Sequence, residues 1–182
     1  MKKHLKFVLI LTGILLTRAY DAYCTALFTP DLKQEANPLA SVFHIQWSWL
    51  LLIIGCVLLY VGYALYINMY KQVNLFPTQK HLPFGQFVVQ TLYGPGARWT
   101  AFLYKLPADK QKMHSVFGHI LSYGLLWAGL VTTVMWLLIN HTATYYTQYH
   151  SYKGTVILVL TGVAGVAYYY FSQLYIAYKT AE

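Results

Sequence analysis

The chain has 182 residues; 58% are hydrophobic, only 10% are charged, and the formal net charge is +8. A soluble domain carries about 25% charged residues, so this composition excludes an ordinary water-soluble enzyme and a disordered tail alike. The two cysteines, Cys24 and Cys56, both fall in apolar stretches and give no disulfide framework; both read as buried thiols.

Four apolar stretches follow one another, at about 5–28, 45–67, 115–139 and 155–178. Each reaches the roughly 20 residues that a membrane span needs. Backbone polar groups in lipid must pair internally, which makes each stretch a helix, and the alternation of a membrane β-barrel is absent. The expected fold is therefore all-α. It is a single polytopic membrane domain of four transmembrane helices, with a cytoplasmic interfacial helix in the loop at about 71–112.

The first stretch follows a basic start, Lys2, Lys3 and Lys6, as a signal peptide would. Arg18 and Asp21 stand where small cleavage-site residues belong, however, and apolar character resumes through Ala26, Leu27 and Phe28. It reads as a retained span. Arg18 and Asp21 are costly there, at about 2.5–3.5 kcal/mol each on insertion scales. Arg18, Asp21 and Thr25 are spaced i, i+3, i+7 and share one helical face.

Thr29-Pro30 should end this helix, because the residue before proline disfavours the α region. Asn37-Pro38 then looks like a start, with Asn37 as N-cap and Pro38 at the first helical position. A helix from Pro38 to about Tyr70 would be about 50 Å long. It would place His44 and Trp47 near the outer interface.

The loop from 71 to 112 is punctuated by Pro77, Pro83, Pro95 and Pro107 and by Gly85, Gly94 and Gly96. Between residues 97 and 106, Trp99, Phe102, Leu103 and Leu106 share a face while Arg98 and Lys105 can reach head groups. That is the pattern of a short interfacial helix; a re-entrant lid around Gly94-Pro95-Gly96 is the other reading. In the third and fourth spans, Gly118/Ser122 and Thr161/Gly165 are small-xxx-small pairs suited to close helix packing. Tyr168, Tyr169 and Tyr170 need hydroxyl partners if buried.

Basic residues gather before the first span, between the second and third, and after the fourth. The positive-inside rule places both termini and the long loop in the cytoplasm of what reads as a bacterial inner-membrane protein. The expected partners are the bilayer and its anionic head groups on that side, together with a larger membrane complex or a homo-oligomer. No nucleic-acid module is recognisable.

The run from Arg18 to Pro38 reads as one polar corner made of Arg18, Asp21, Thr25, Glu35 and Asn37. It resembles an uncharacterised family of small bacterial and archaeal multi-span membrane proteins with an Asp-x3-Thr … Glu-x-Asn-Pro signature. The matching positions are Asp21, Thr25, Glu35, Asn37 and Pro38, within the first quarter of the chain. The resemblance implies structural context and no chemistry.

Three functions compete. In the first, the corner lines a wet cavity for ligand binding or transport. In the second, the protein supports a larger complex and the corner is a structural pin, with Arg18 paired to Asp21. The third is a membrane enzyme with Asp21 or Glu35 as acid or base, or an outer metal site using His44, His141, Asp31 and Glu35. No paired metal-ligand spacing supports that site. No cofactor is expected: haem needs histidines at matching depth on different helices, and His119 has no such partner. The balance leans to a non-enzymatic role.

Overall fold

A computed structural model of the chain describes residues 2–32, 46–107, 109–142, 144 and 151–181. Among the described residues lie six helices and no strand. They are α1 (Lys2–Phe28), α2 (Trp47–Tyr70), α3 (Phe84–Tyr93), α4 (Ala101–Tyr104), α5 (Lys110–His141) and α6 (Tyr152–Thr180). Four of them, α1, α2, α5 and α6, are long and apolar enough to cross a membrane.

The ends of these helices follow from local chemistry. Asp109 caps α5, its Oδ1 accepting from the backbone N–H of Gln111 at 2.8 Å and of Lys112 at 3.1 Å. Ser151 caps α6 by accepting from Gly154 N at 3.3 Å. The second span departs from expectation. Gln46 is extended (φ −77°, ψ 164°) and α2 begins at Trp47, so no continuous helix runs from Pro38 to Tyr70. Trp47 fixes that start by donating from Nε1 to the Pro30 carbonyl at 2.9 Å. Glu35, Asn37, Pro38 and His44 lie outside the described residues.

The bundle is organised around α5, which packs against α1, α2 and α6, whereas α1 and α2 touch each other sparingly. Missing side chains make this possible. A Cβ on Gly118 would collide with the Ala64 carbonyl oxygen on α2, and one on Gly129 would collide with the Thr17 hydroxyl on α1. Close backbone approach of this kind is the main source of helix affinity in lipid. Ser122, one turn from Gly118, is fully buried. The expected Thr161/Gly165 contact is not made among the described residues. Thr161 is exposed and a Cβ on Gly165 would meet nothing within 4 Å.

The outer faces of the four long helices are apolar, with residues such as Leu16, Leu59, Leu130 and Leu160 exposed. Cys24 is buried as expected, but Cys56 is on the outer face of α2. The tyrosine run divides. Tyr170 is buried, while Tyr168 and Tyr169 face outward, because successive helical residues point about 100° apart.

The central loop folds onto the end of the bundle. Pro83 precedes α3, and Gly94, at φ +86°, stops it; this left-handed conformation suits glycine. Every residue from Phe87 to Tyr93 is buried, packed into a core with Val116 of α5 and Tyr170, Phe171 and Tyr178 of α6. Two tyrosines fasten the approach to α3. Tyr175 donates to Leu82 O at 2.9 Å, and Tyr178 donates to Gln79 O at 2.8 Å while accepting from Leu82 N at 3.2 Å. In the 97–106 segment the only helix is the four-residue α4, whose Leu103 and Tyr104 are exposed beside Trp99 and Leu106.

Candidate functional site

Arg18 and Asp21 lie on α1 about 15 Å and about 10 Å from its Phe28 end. They form an ion pair, Arg18 Nη1 to Asp21 Oδ2 at 3.2 Å, with side chains 19% and 26% exposed. Their other described partners are on α5. Arg18 Nη2 donates to Thr132 Oγ1 at 2.9 Å, and Trp136 Nε1 donates to Asp21 Oδ1 at 2.8 Å. Both oxygens of the carboxylate therefore accept a hydrogen bond.

These contacts are rungs of one ladder. Thr17 faces Gly129, Arg18 faces Thr132, Asp21 faces Trp136, and Asn140 donates to Cys24 Sγ at 3.8 Å. From Arg18 onward both helices advance by three or four residues per rung, so they run parallel and present matching stripes. Phe28 adds a ring contact to Trp136, with centroids 5.1 Å apart. Sequence reasoning missed Thr132 and Trp136. A threonine and a tryptophan in an apolar run carry no local signal, since their role depends on the register between distant helices.

The opposite side of the pair is open. Arg18, Asp21 and Thr25 line a cleft of about 350 Å³ between α1 and α2, with Trp47 and Leu50 toward one end and Gly55 and Leu58 toward the other. Arginine has five N–H donors. Described residues engage one on each Nη, and the buried Nε has no partner among them. The cleft continues past Leu15, Gly55 and Leu58 into an apolar groove of about 540 Å³.

Of the other residues singled out in the sequence, His141 is the last residue of α5. Among the described residues no three His, Cys, Asp or Glu side chains gather as a metal site. His119 stacks on Tyr170, with ring centroids 4.1 Å apart and planes 17° from parallel, and lies 4.5 Å from Tyr123. Nearby, Asn68 Nδ2 donates to Ser115 O at 3.0 Å and lies 3.4 Å from the Tyr170 hydroxyl.

Compared with known protein families, curated proteins and solved structures, the chain matches none.

Proposed function

We propose that this chain is a non-enzymatic, multi-pass protein of a bacterial inner membrane that binds a ligand in the cleft between α1 and α2. The observation that carries this reading is the two-sided setting of Arg18 and Asp21. One side is held by Thr132 and Trp136, and the other lines an open cleft. Charges at this depth of a span need a partner or a wet cavity, and here the pair has partners on one side and an open cleft on the other. A pair serving only as a pin has no need of the cleft.

Both termini and the loop between α2 and α5 are assigned to the cytoplasm, because Lys2, Lys3, Lys6, Lys71, Lys80, Arg98, Lys105, Lys110, Lys112 and Lys179 lie at that end. The exposed Trp99, Leu103, Tyr104 and Leu106 beside Arg98 and Lys105 fit a segment resting among anionic head groups. The resemblance carried by Asp21, Thr25, Glu35, Asn37 and Pro38 is retained as part of this proposal.

The second reading, a subunit of a larger complex with the corner as its pin, is favoured by one observation: both Asp21 oxygens are engaged within the chain. That engagement also favours a fixed carboxylate over one that shuttles protons, the role an enzyme would need.

Native mass spectrometry of protein extracted in mild detergent separates these readings. The wild type should retain a bound small molecule. Gly55→Leu should lose it, because a Cβ at Gly55 meets nothing within 4 Å and the added side chain fills the cleft without disturbing the bundle. Gly165→Leu, in similarly open surroundings on α6, should keep it. A wild type without bound mass, or equal retention by Gly55→Leu, would overturn the ligand site.

A further inference from the structure

The cleft and the groove beside it restrict what can enter. Near one end of the opening between α1 and α2 the Trp47 indole is held by the Pro30 carbonyl, with a recess lined by Ala26, Pro30 and Leu51 beyond it. Toward the other end Leu11 and Gly62 line the groove, with room for a Cβ on Gly62 at 3.8 Å from Leu11 Cδ2. Cleft and groove, about 350 and 540 Å³, hold much less than a membrane helix about 10 Å across and 30 Å long. What remains is a window that opens sideways.

The two parts of the window differ in chemistry. Around Arg18, Asp21 and Thr25 it is polar. Beyond Leu15, Gly55 and Leu58 it is lined by Leu11, Ile14, Leu59 and Gly62 and has almost no polar surface. An occupant that satisfies both parts has one polar end and one hydrocarbon end.

The charge on that polar end follows from the pair itself. Arg18 and Asp21 cancel one another. An ionised head group would find no net opposite charge and would be an unpaired charge away from water, which costs several kcal/mol. The surplus at the site is in donors. The second N–H on each Arg18 Nη exceeds the acceptors that described residues supply, while the unpartnered Nε is itself buried. The complementary head is therefore uncharged and rich in acceptors, such as a carbonyl or hydroxyl oxygen.

We propose that the window takes a neutral long-chain amphiphile, with its oxygen-bearing head accepting from Arg18 and its hydrocarbon chain lying along Leu15, Leu58 and Gly62. This rests on the ligand site proposed above and names its substrate class.

The test uses the full chain in nanodiscs and a hexadecanol probe carrying a diazirine on its chain. Labelling should saturate and should fall on peptides holding Leu11–Leu15 and Leu58–Tyr63. Gly55→Leu should reduce it by about tenfold, a difference of about 1.4 kcal/mol, while Gly165→Leu should not. Unlabelled hexadecanol and methyl palmitate should compete; hexadecyl phosphate and hexadecyltrimethylammonium should not. Non-saturating labelling spread over the outward faces of α6 would overturn the proposal, since bulk lipid behaves that way. Competition by a charged probe as strong as that by hexadecanol would also overturn it. If the bound mass in the native spectra still depends on Gly55, that second result leaves the ligand site standing and removes only the neutral amphiphile.

Discussion

The indole of Trp136 donates to Asp21 Oδ1 at 2.8 Å, a bond between residues 115 positions apart in the chain. It joins the third membrane-length helix to the first. The charged pair of α1 is thus braced from α5, and the α1/α2 side is left open. Rigid placement of a polar group beside an open cleft is what a binding site needs.

Removing the indole N–H tests that brace. Trp136→Phe preserves a ring for Phe28 but leaves Asp21 Oδ1 without its donor. Hydrogen bonds to charged groups contribute about 1.5–3 kcal/mol, and a loss in that range is expected in reversible SDS unfolding. Asp21→Asn should cost at least as much, because Arg18 loses its counter-charge. Coupling between the two changes in a double-mutant cycle should exceed about 0.5 kcal/mol; strictly additive losses would show that the Asp21 charge adds nothing to the bond from Trp136.

The α2/α5 crossing gives a steric prediction. Gly118→Val places a methyl-bearing carbon against the Ala64 carbonyl, which is backbone and cannot rotate away. Overpacking costs about 1–3 kcal/mol, and this site should fall at the upper end. Size-exclusion chromatography after heating should show early aggregation of Gly118→Val and wild-type behaviour of Gly165→Val. Equal tolerance of both would mean that α2 and α5 do not approach so closely.

The four long helices were legible because hydropathy and length are local properties of the chain. So was the pairing of Arg18 with Asp21, since i, i+3 spacing is also local. The partners Thr132 and Trp136 were not legible, because they depend on how α1 and α5 are set against each other. The caps at Asp109 and Ser151 went unread, because they precede the apolar stretches by several residues, although a side-chain acceptor just before a helix is a local signal. The burial of α3 was hidden for a different reason. Phe84–Tyr93 is a ten-residue helix, too short to register as a span, and its covering surface comes from Tyr170, Phe171 and Tyr178, far along the chain on α6.

That covering predicts a protease phenotype. Tyr178 bonds to both Gln79 and Leu82, and Lys80 is exposed between them. Tyr178→Phe removes both bonds and keeps the ring against Phe87, with centroids 5.0 Å apart in the wild type. Trypsin cleavage after Lys80 should become several-fold faster while the global unfolding midpoint changes little, as expected for local opening. A fall in the global midpoint without faster cleavage would show that Tyr178 supports the whole bundle instead.

The last prediction ranks two polar contacts. Asn68 donates to Ser115 O at 3.0 Å and approaches Ser115 Oγ at 3.3 Å and Tyr170 OH at 3.4 Å, linking α2, α5 and α6. All of its partners are neutral, and neutral interhelical hydrogen bonds in membranes average about 0.6 kcal/mol with a maximum near 1.7. Asn68→Leu should therefore cost less than Trp136→Phe, although Asn68 touches more partners. Tyr170→Phe should cost less still, because its stack on His119 survives and only the longest of the three bonds is lost. SDS unfolding of the three variants side by side gives the order. If Asn68→Leu proves the most damaging, the junction of three helices, and not the charged pair, is the main polar anchor of the bundle.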